Sequence, residues 1–234
     1  FDAGDNFYPT DVGRIASYYY IDCATIGVWN EQISNQCTIE DILDLVCQAT
    51  EFNQLAMREA EERDLIRLRK ECCPYEIKSL SRDGGDSPQT KANILLQCYI
   101  GNQIWQIRHP TLINDILYIK QNAGRIARAL FEISVKVGYS NLANEALKIC
   151  KVIEHQVWHH QTELRQFKAI KTELCMKVER CKLKIHQLAE WSTAEIGQII
   201  RDQKNASHVK KLANIIPRVE LQCTARPITR TLLA

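Results

Sequence analysis

The chain is 234 residues long, 45% hydrophobic and 25% charged, with a formal net charge of +2. That length suits one large or two small cores, and that composition belongs to a folded chain rather than a disordered one. No apolar run approaches the ~20 residues that span a bilayer, and the opening FDAGDNFYPT has neither the basic nor the apolar region of a signal peptide. The first residue is not Met and the last six, TRTLLA, contain no closing turn, so the chain is expected to be a piece of a longer protein.

The ten cysteines are scattered, with no C-x-x-C pair. Zinc sites need ligands at short, defined spacings, and disulfide scaffolds are small and cysteine-dense. The expectation is therefore ten reduced thiols in a reducing, intracellular compartment. Charge is uneven. Residues 163–234 hold 14 Lys and Arg against 7 Asp and Glu, which leaves the first 162 residues net acidic. A basic C-terminal part favours an anionic partner.

In chain order, residues 1–9 read as a lead-in. Thr10 caps a first helix through Tyr20, with Asp11 favourably placed on its dipole. Tyr18, Tyr19 and Tyr20 point in different directions, about 100° apart, so they are expected to pack the base of a bundle rather than to stack on bases. A short helix over about 24–32 precedes a third, which Thr38 and Asp41 open as a capping box. Residues 57–72 alternate charge at helical spacing and predict an exposed helix with Leu65, Ile66 and Leu68 turned inward. Residues 74–88 are a loop by composition, a candidate insertion for partner contact. A largely buried helix is expected over 89–101. Residues 102–110 form a link, and Pro110 opens a long helix that Gly138 ends. Ser140 caps the next, to about Trp158, with Leu142, Ala146, Leu147, Cys150 and Ile153 inward. Four short helices follow over 171–181, 184–190, 193–202 and 205–215, the third capped by Thr193. After Pro217 the alternation Val219, Leu221, Cys223 predicts the first strand of a β domain. The fold class is thus all-α: a helical bundle over 10–162, a helix-loop-helix module over 163–222, and the start of a β domain over 223–234.

Catalytic signatures are missing. No Gly is followed by Lys, so the phosphate-cradling P-loop is absent, as are G-x-G-x-x-G and G-x-S-x-G. His155 and His159 have metal-ligand spacing but no H-E-x-x-H, and packing is the expected role. The informative stretch is the long helix, Leu112 to Val137. Leu112, Ile116, Ile119, Ala123, Ile126, Ala127, Leu130 and Ser134 form its apolar or small face. Tyr118, Gln121, Arg125, Arg128, Glu132 and Lys136 form a second, polar row within an arc of about 80°. The row reads either as a solvated face or as a ladder that tracks a nucleic-acid strand.

Several blocks occur in the order in which they recur in one family. These are Thr10–Ile21 (TDVGRIASYYYI), Lys91–Gln97 (KANILLQ), Gln121–Ile126 (QNAGRI) with Arg128–Ile133 (RALFEI), and Ile149–Glu154 (ICKVIE) with Trp158. Leu164–Phe167 (LRQF), Glu195-Ile196-Gly197 and Pro227–Arg230 (PITR) complete the set. Together they resemble the Sec-63 homology region of Ski-two-like superfamily-two helicases, most nearly the N-terminal cassette of the large double-cassette members. The resemblance implies a parent RNA helicase whose RecA-like motor domains bind ATP and Mg and, with a winged helix, precede this segment; the segment itself is expected to hold no cofactor. It also implies that 121–136 belongs to a ratchet helix touching single-stranded nucleic acid, expected to be RNA, and that an immunoglobulin-like β domain starts near residue 223. On that basis Arg125 and Arg128 are expected to bind phosphates or stack on bases, supported by Gln121, Tyr118 and Lys136, with Gly124 a point of close approach. Protein partners in a larger, nuclear complex are expected, and no membrane. The competing expectation is a non-catalytic scaffold that docks proteins and never touches nucleic acid.

Overall fold

The computed structural model describes residues 8–78 and 87–224. Among them, eleven α-helices are joined by short loops and single 3₁₀ turns: α1 (Asp11–Tyr19), α2 (Cys23–Gln32), α3 (Ile39–Cys47), α4 (Glu62–Cys72), α5 (Pro88–Ile100), α6 (Pro110–Val137), α7 (Ser140–His155), α8 (Thr172–Arg180), α9 (Ile185–Glu190), α10 (Thr193–Ile199) and α11 (Gln203–Ile215). The described residues contain no strand, as an all-α chain requires. None of these helices is long and apolar enough to cross a membrane. The chain forms two compact units that divide between His160 and Gln161.

The first unit is built around α6. Its buried side chains, Leu112, Ile116, Ile119, Ala123, Ile126, Ala127, Leu130 and Ser134 among them, face α1, α3, α5 and α7. The apolar face expected from spacing is therefore the face that packs. Pro110 begins the helix, and Gly138, at φ 84°, ends it in the left-handed conformation that glycine adopts without strain. Thr10 accepts from the Gly13 amide at 3.0 Å. Thr38 and Asp41 form the capping box on α3.

Two buried polar assemblies tie this unit together. Lys91 on α5 is fully buried; its Nζ donates to Glu61 at 2.6 Å and to the Ala56 carbonyl at 3.0 Å, and lies 2.6 Å from Asp115 on α6. Asp44 on α3 accepts from Asn93 Nδ2 at 2.6 Å and from the Lys78 amide at 2.8 Å. Gln97 donates to Asn93 Oδ1 at 2.8 Å and exchanges bonds with the Tyr75 backbone, both at 3.1 Å. A buried charge or amide is tolerated only when its partners are supplied, and Lys91, Asn93 and Gln97 all lie in the block KANILLQ.

The second unit is small. Leu164, Leu174, Cys175, Val178, Leu188, Ile196, Ala206 and Val209 form its core. Arg165 grips Glu179 through two bonds, at 2.6 and 2.8 Å, and so fixes the 3₁₀ turn Glu163–Gln166.

Local details differ from the sequence expectations. The segment 57–72 is a 3₁₀ turn, Glu59–Glu61, followed by α4; Leu65 and Leu68 are buried but Ile66 is 46% exposed. Of the three tyrosines only Tyr19 packs; Tyr18 and Tyr20 are exposed. On α7, Leu147 turns outward while Ile149 and Val152 face the core. That helix stops at His155 because Gln156 takes the left-handed conformation, and His159 stacks on Tyr75 instead of pairing with His155. Ser140 and Thr193 are first helical residues, not caps; Tyr139 precedes one, and Ser192 forms a capping box with Glu195 on the other. In the expected strand, Val219 and Leu221 are exposed and unpaired, and residues 225–234 lie outside the described residues, as do 1–7 of the lead-in and 79–86 of the expected loop.

Candidate nucleic-acid interface

The polar row on α6 divides into two sets. Tyr118, Arg125 and Glu132, spaced by seven, face the rest of the first unit. Tyr118 OH donates to the Glu51 carbonyl at 3.0 Å, its ring edge-on to Phe52. Arg125 Nη1 donates to the carbonyls of Tyr19 at 2.9 Å and Tyr20 at 2.6 Å, the free C-terminal end of α1. A guanidinium suits this place, because the last carbonyls of a helix lack partners and carry partial negative charge. Asn122 orients it: its Oδ1 accepts from Arg125 Nε at 3.1 Å and Nη2 at 2.7 Å, while its Nδ2 donates to the Tyr118 carbonyl at 2.9 Å. Of the five guanidinium N–H donors, one remains for an outside acceptor. Glu132 accepts from Tyr19 OH at 2.6 Å; that bond, with burial second, pushes the Tyr19 phenol up to about 12.

Gln121, Arg128 and Lys136 form the second set, and all are exposed. Arg128 pairs with Glu154 on α7, both side chains about half exposed. Lys136 lies 3.7 Å from Asp11, again an exposed pair. Such pairs are worth no more than about 1 kcal/mol, so either cation can exchange its partner for a phosphate at little cost.

The open side of α6 carries more than the row supplied. Ile113, Leu117, Lys120, Gln121, Gly124, Arg128 and Val135 fall within an arc of roughly 100°, turned about 70° from the centre of the polar row. All but Gly124, which is half-buried, are exposed. A Cβ built on Gly124 meets no heavy atom within 4 Å. Glycine inside a helix costs about 0.5–1 kcal/mol relative to alanine, and nothing in the described fold requires it here. The surface is thus a shallow, mixed stripe with its lowest point at the centre and Lys120, Gln121 and Arg128 around it.

Sequence spacing left two features unseen: Asn122, which orients Arg125, and the partner of Glu132, Tyr19; the seven-residue repeat 118–125–132 was the signal for the inward-facing set. The His/Cys/Asp/Glu side chains of the described residues form no cluster able to hold a metal.

The model of one family, the Sec63 Brl domain, matches residues 9–234. This chain belongs to that family. The Sec63 Brl domain described here is 34% identical over 229 residues to the DExH-box ATP-dependent RNA helicase DExH14 of Arabidopsis thaliana. It is 32% identical over 228 residues to the human U5 small nuclear ribonucleoprotein 200 kDa helicase, and 36% identical over 228 residues to human activating signal cointegrator 1 complex subunit 3. Each alignment covers 97% of this chain and 10% of the relative. The domain therefore spans about a tenth of the length of the curated relatives it matches.

Proposed function

We propose that this Sec63 domain serves an ATP-dependent RNA helicase by holding the translocating single strand against α6, inside a larger nuclear assembly. RecA-like motor domains of the parent chain, with a winged helix, supply ATP and Mg chemistry; this domain turns their cycling into directed movement. The observation that carries the reading is the open stripe centred on Gly124, with Lys120, Gln121 and Arg128 about it. A translocating strand needs contacts that any sequence can satisfy. Cations that read phosphates and a bare backbone that admits a sugar or base meet that need. Arg128 and Gln121 make the main contacts, and Lys136 extends them. Arg125 and Tyr118 hold the helix in place, and Arg125 offers its one spare N–H.

The test is Arg128→Ala with Gln121→Ala in the intact helicase. Unwinding and strand crosslinking to α6 fall several-fold while ATP binding is unchanged. The slope of log affinity against log salt for single-stranded RNA flattens by about 0.7, the value of one phosphate contact on a single strand. Unaltered unwinding and an unaltered salt slope refute the reading.

A further inference from the structure

A second surface lies on the outer side of α4. Arg63, Ile66, Arg67 and Lys70 share a face about 100° wide. Arg67 is committed to Asp64, Glu71 and the Gln106 carbonyl. Arg63 and Lys70 are exposed, and among the described residues they form no ion pair, nor do Arg69 and Arg108. Leu65 and Ile94 floor a small apolar pit with Ile66, Arg69 and Lys70 at its rim. A second hollow, on the side of α4 towards the link, is lined by Arg63, Arg67, Arg108 and His109 around Asp64.

The link 102–110 borders this face and is rigidly held. Arg67 Nη2 donates to the Gln106 carbonyl at 2.6 Å and Cys72 Sγ to Gln106 Oε1 at 3.2 Å. The amides of Arg108 and His109 donate to Asp64 Oδ2 at 2.9 and 3.2 Å. Trp105, in the 3₁₀ turn Ile104–Gln106, is nonetheless 80% exposed. An indole presented to water on a pinned turn, three residues before the unpaired Arg108, has the composition and the rigidity of an interface anchor.

We propose that α4 and this link dock a separate protein through an acidic segment that carries an interspersed apolar side chain. The unpaired cations call for carboxylates, and the pit calls for an aliphatic group, which nucleic acid lacks. Glu62, Asp64 and Glu71 along the same helix oppose a continuous phosphate backbone, whereas a peptide can place neutral residues beside them. The charge around so small a pit is that of a reversible contact, since permanent interfaces have larger, more apolar centres.

The test uses the intact protein and three probes: a short fluorescent peptide alternating Glu and Leu, the same peptide with Ser for Leu, and oligouridine. The leucine peptide binds. Arg63→Glu with Arg108→Glu, and separately Ile66→Ser and Trp105→Ala, weaken it by about tenfold or more without lowering the melting temperature. The serine peptide binds about tenfold less well, and oligouridine affinity is unchanged by the four substitutions. The proposal is overturned if the leucine peptide does not bind, if the variants bind it normally, or if both peptides bind alike. It is equally overturned if the substitutions reduce oligouridine binding instead.

Discussion

Replacing Gly124 by alanine separates what the fold needs from what the strand needs. The added methyl meets no heavy atom within 4 Å, so no overpacking is incurred and no packing is gained. What remains is the backbone: alanine is favoured over glycine in a helix interior by about 0.5–1 kcal/mol. For a chain of this size that raises the melting temperature by about 1–4 °C. Thermal unfolding followed by circular dichroism reads it directly. Gly27 on α2 is the matched control, since its Cβ also meets nothing within 4 Å, and Gly27→Ala gains a similar amount. Gly197 is the opposite case: its Cβ falls 2.6 Å from Gln203 Cδ and 3.1 Å from Gln203 Cα, so Gly197→Ala destabilises by about 1–3 kcal/mol. On the proposed function, unwinding by the intact protein is slowed by Gly124→Ala and slowed further by Gly124→Leu, while Gly27→Ala has no effect. Loss of stability in Gly124→Ala refutes the claim of free space. Wild-type unwinding by both Gly124 variants refutes the claim of close approach.

Lys91→Met leaves Glu61 and Asp115 without their buried cation and costs about 3–5 kcal/mol, readable in urea unfolding; a loss below 1 kcal/mol counts against the network. Burial alone would raise the Glu61 carboxyl, but hydrogen bonds from Lys91, Thr111 and Arg58 outweigh it and hold it below its ordinary value of 4.5. Its contribution is therefore complete above about pH 4.5 and is lost as pH falls through the lower folded value. Tyr19 behaves in the opposite sense. With its phenol pushed from 10 up to about 12, it stabilises the fold fully below pH 10 and loses that contribution as pH rises through 12. In an ultraviolet titration Tyr19 ionises late, as do Tyr75 and Tyr99, which burial raises, and Glu132→Gln removes the larger part of the Tyr19 delay. Arg125→Ala, which frees the end of α1, costs about 1–3 kcal/mol, whereas Arg128→Ala, which breaks an exposed pair, costs less than about 1 kcal/mol; equal losses would mean that the two arginines do not divide their roles.

Helix placement was legible because α6 obeys a simple rule: every buried position recurs at three or four residues, and Pro110 and Gly138 mark its ends. The caps at Thr10 and Thr38 were legible for the same reason, as local chemistry with local partners. The ladder was only half legible. Spacing places Arg125 and Arg128 on one side of a cylinder, but a partner 106 residues away in sequence, Tyr19, decides that one guanidinium turns inward. Ile66 and Leu147 show the same limit. Each directly follows a buried residue, Leu65 or Ala146, and one step of about 100° carries it off the surface that neighbouring helices cover. The open stripe was hidden from spacing because its defining member, Gly124, carries no side chain for a pattern to register; only the family resemblance marked that residue.

The buried amide ladder has a consequence for how this family can diversify. Lys78 is fastened through its amide to Asp44, and Ser87 starts α5 as its own N-cap, so the two flanks of the intervening stretch are each secured independently. Doubling the length of such a stretch costs only about 0.6 kcal/mol of closure entropy. Evolution can therefore lengthen, shorten or recode the sequence between these two anchors freely, adding a new binding element to one member of the family while α5 and α6 keep their register.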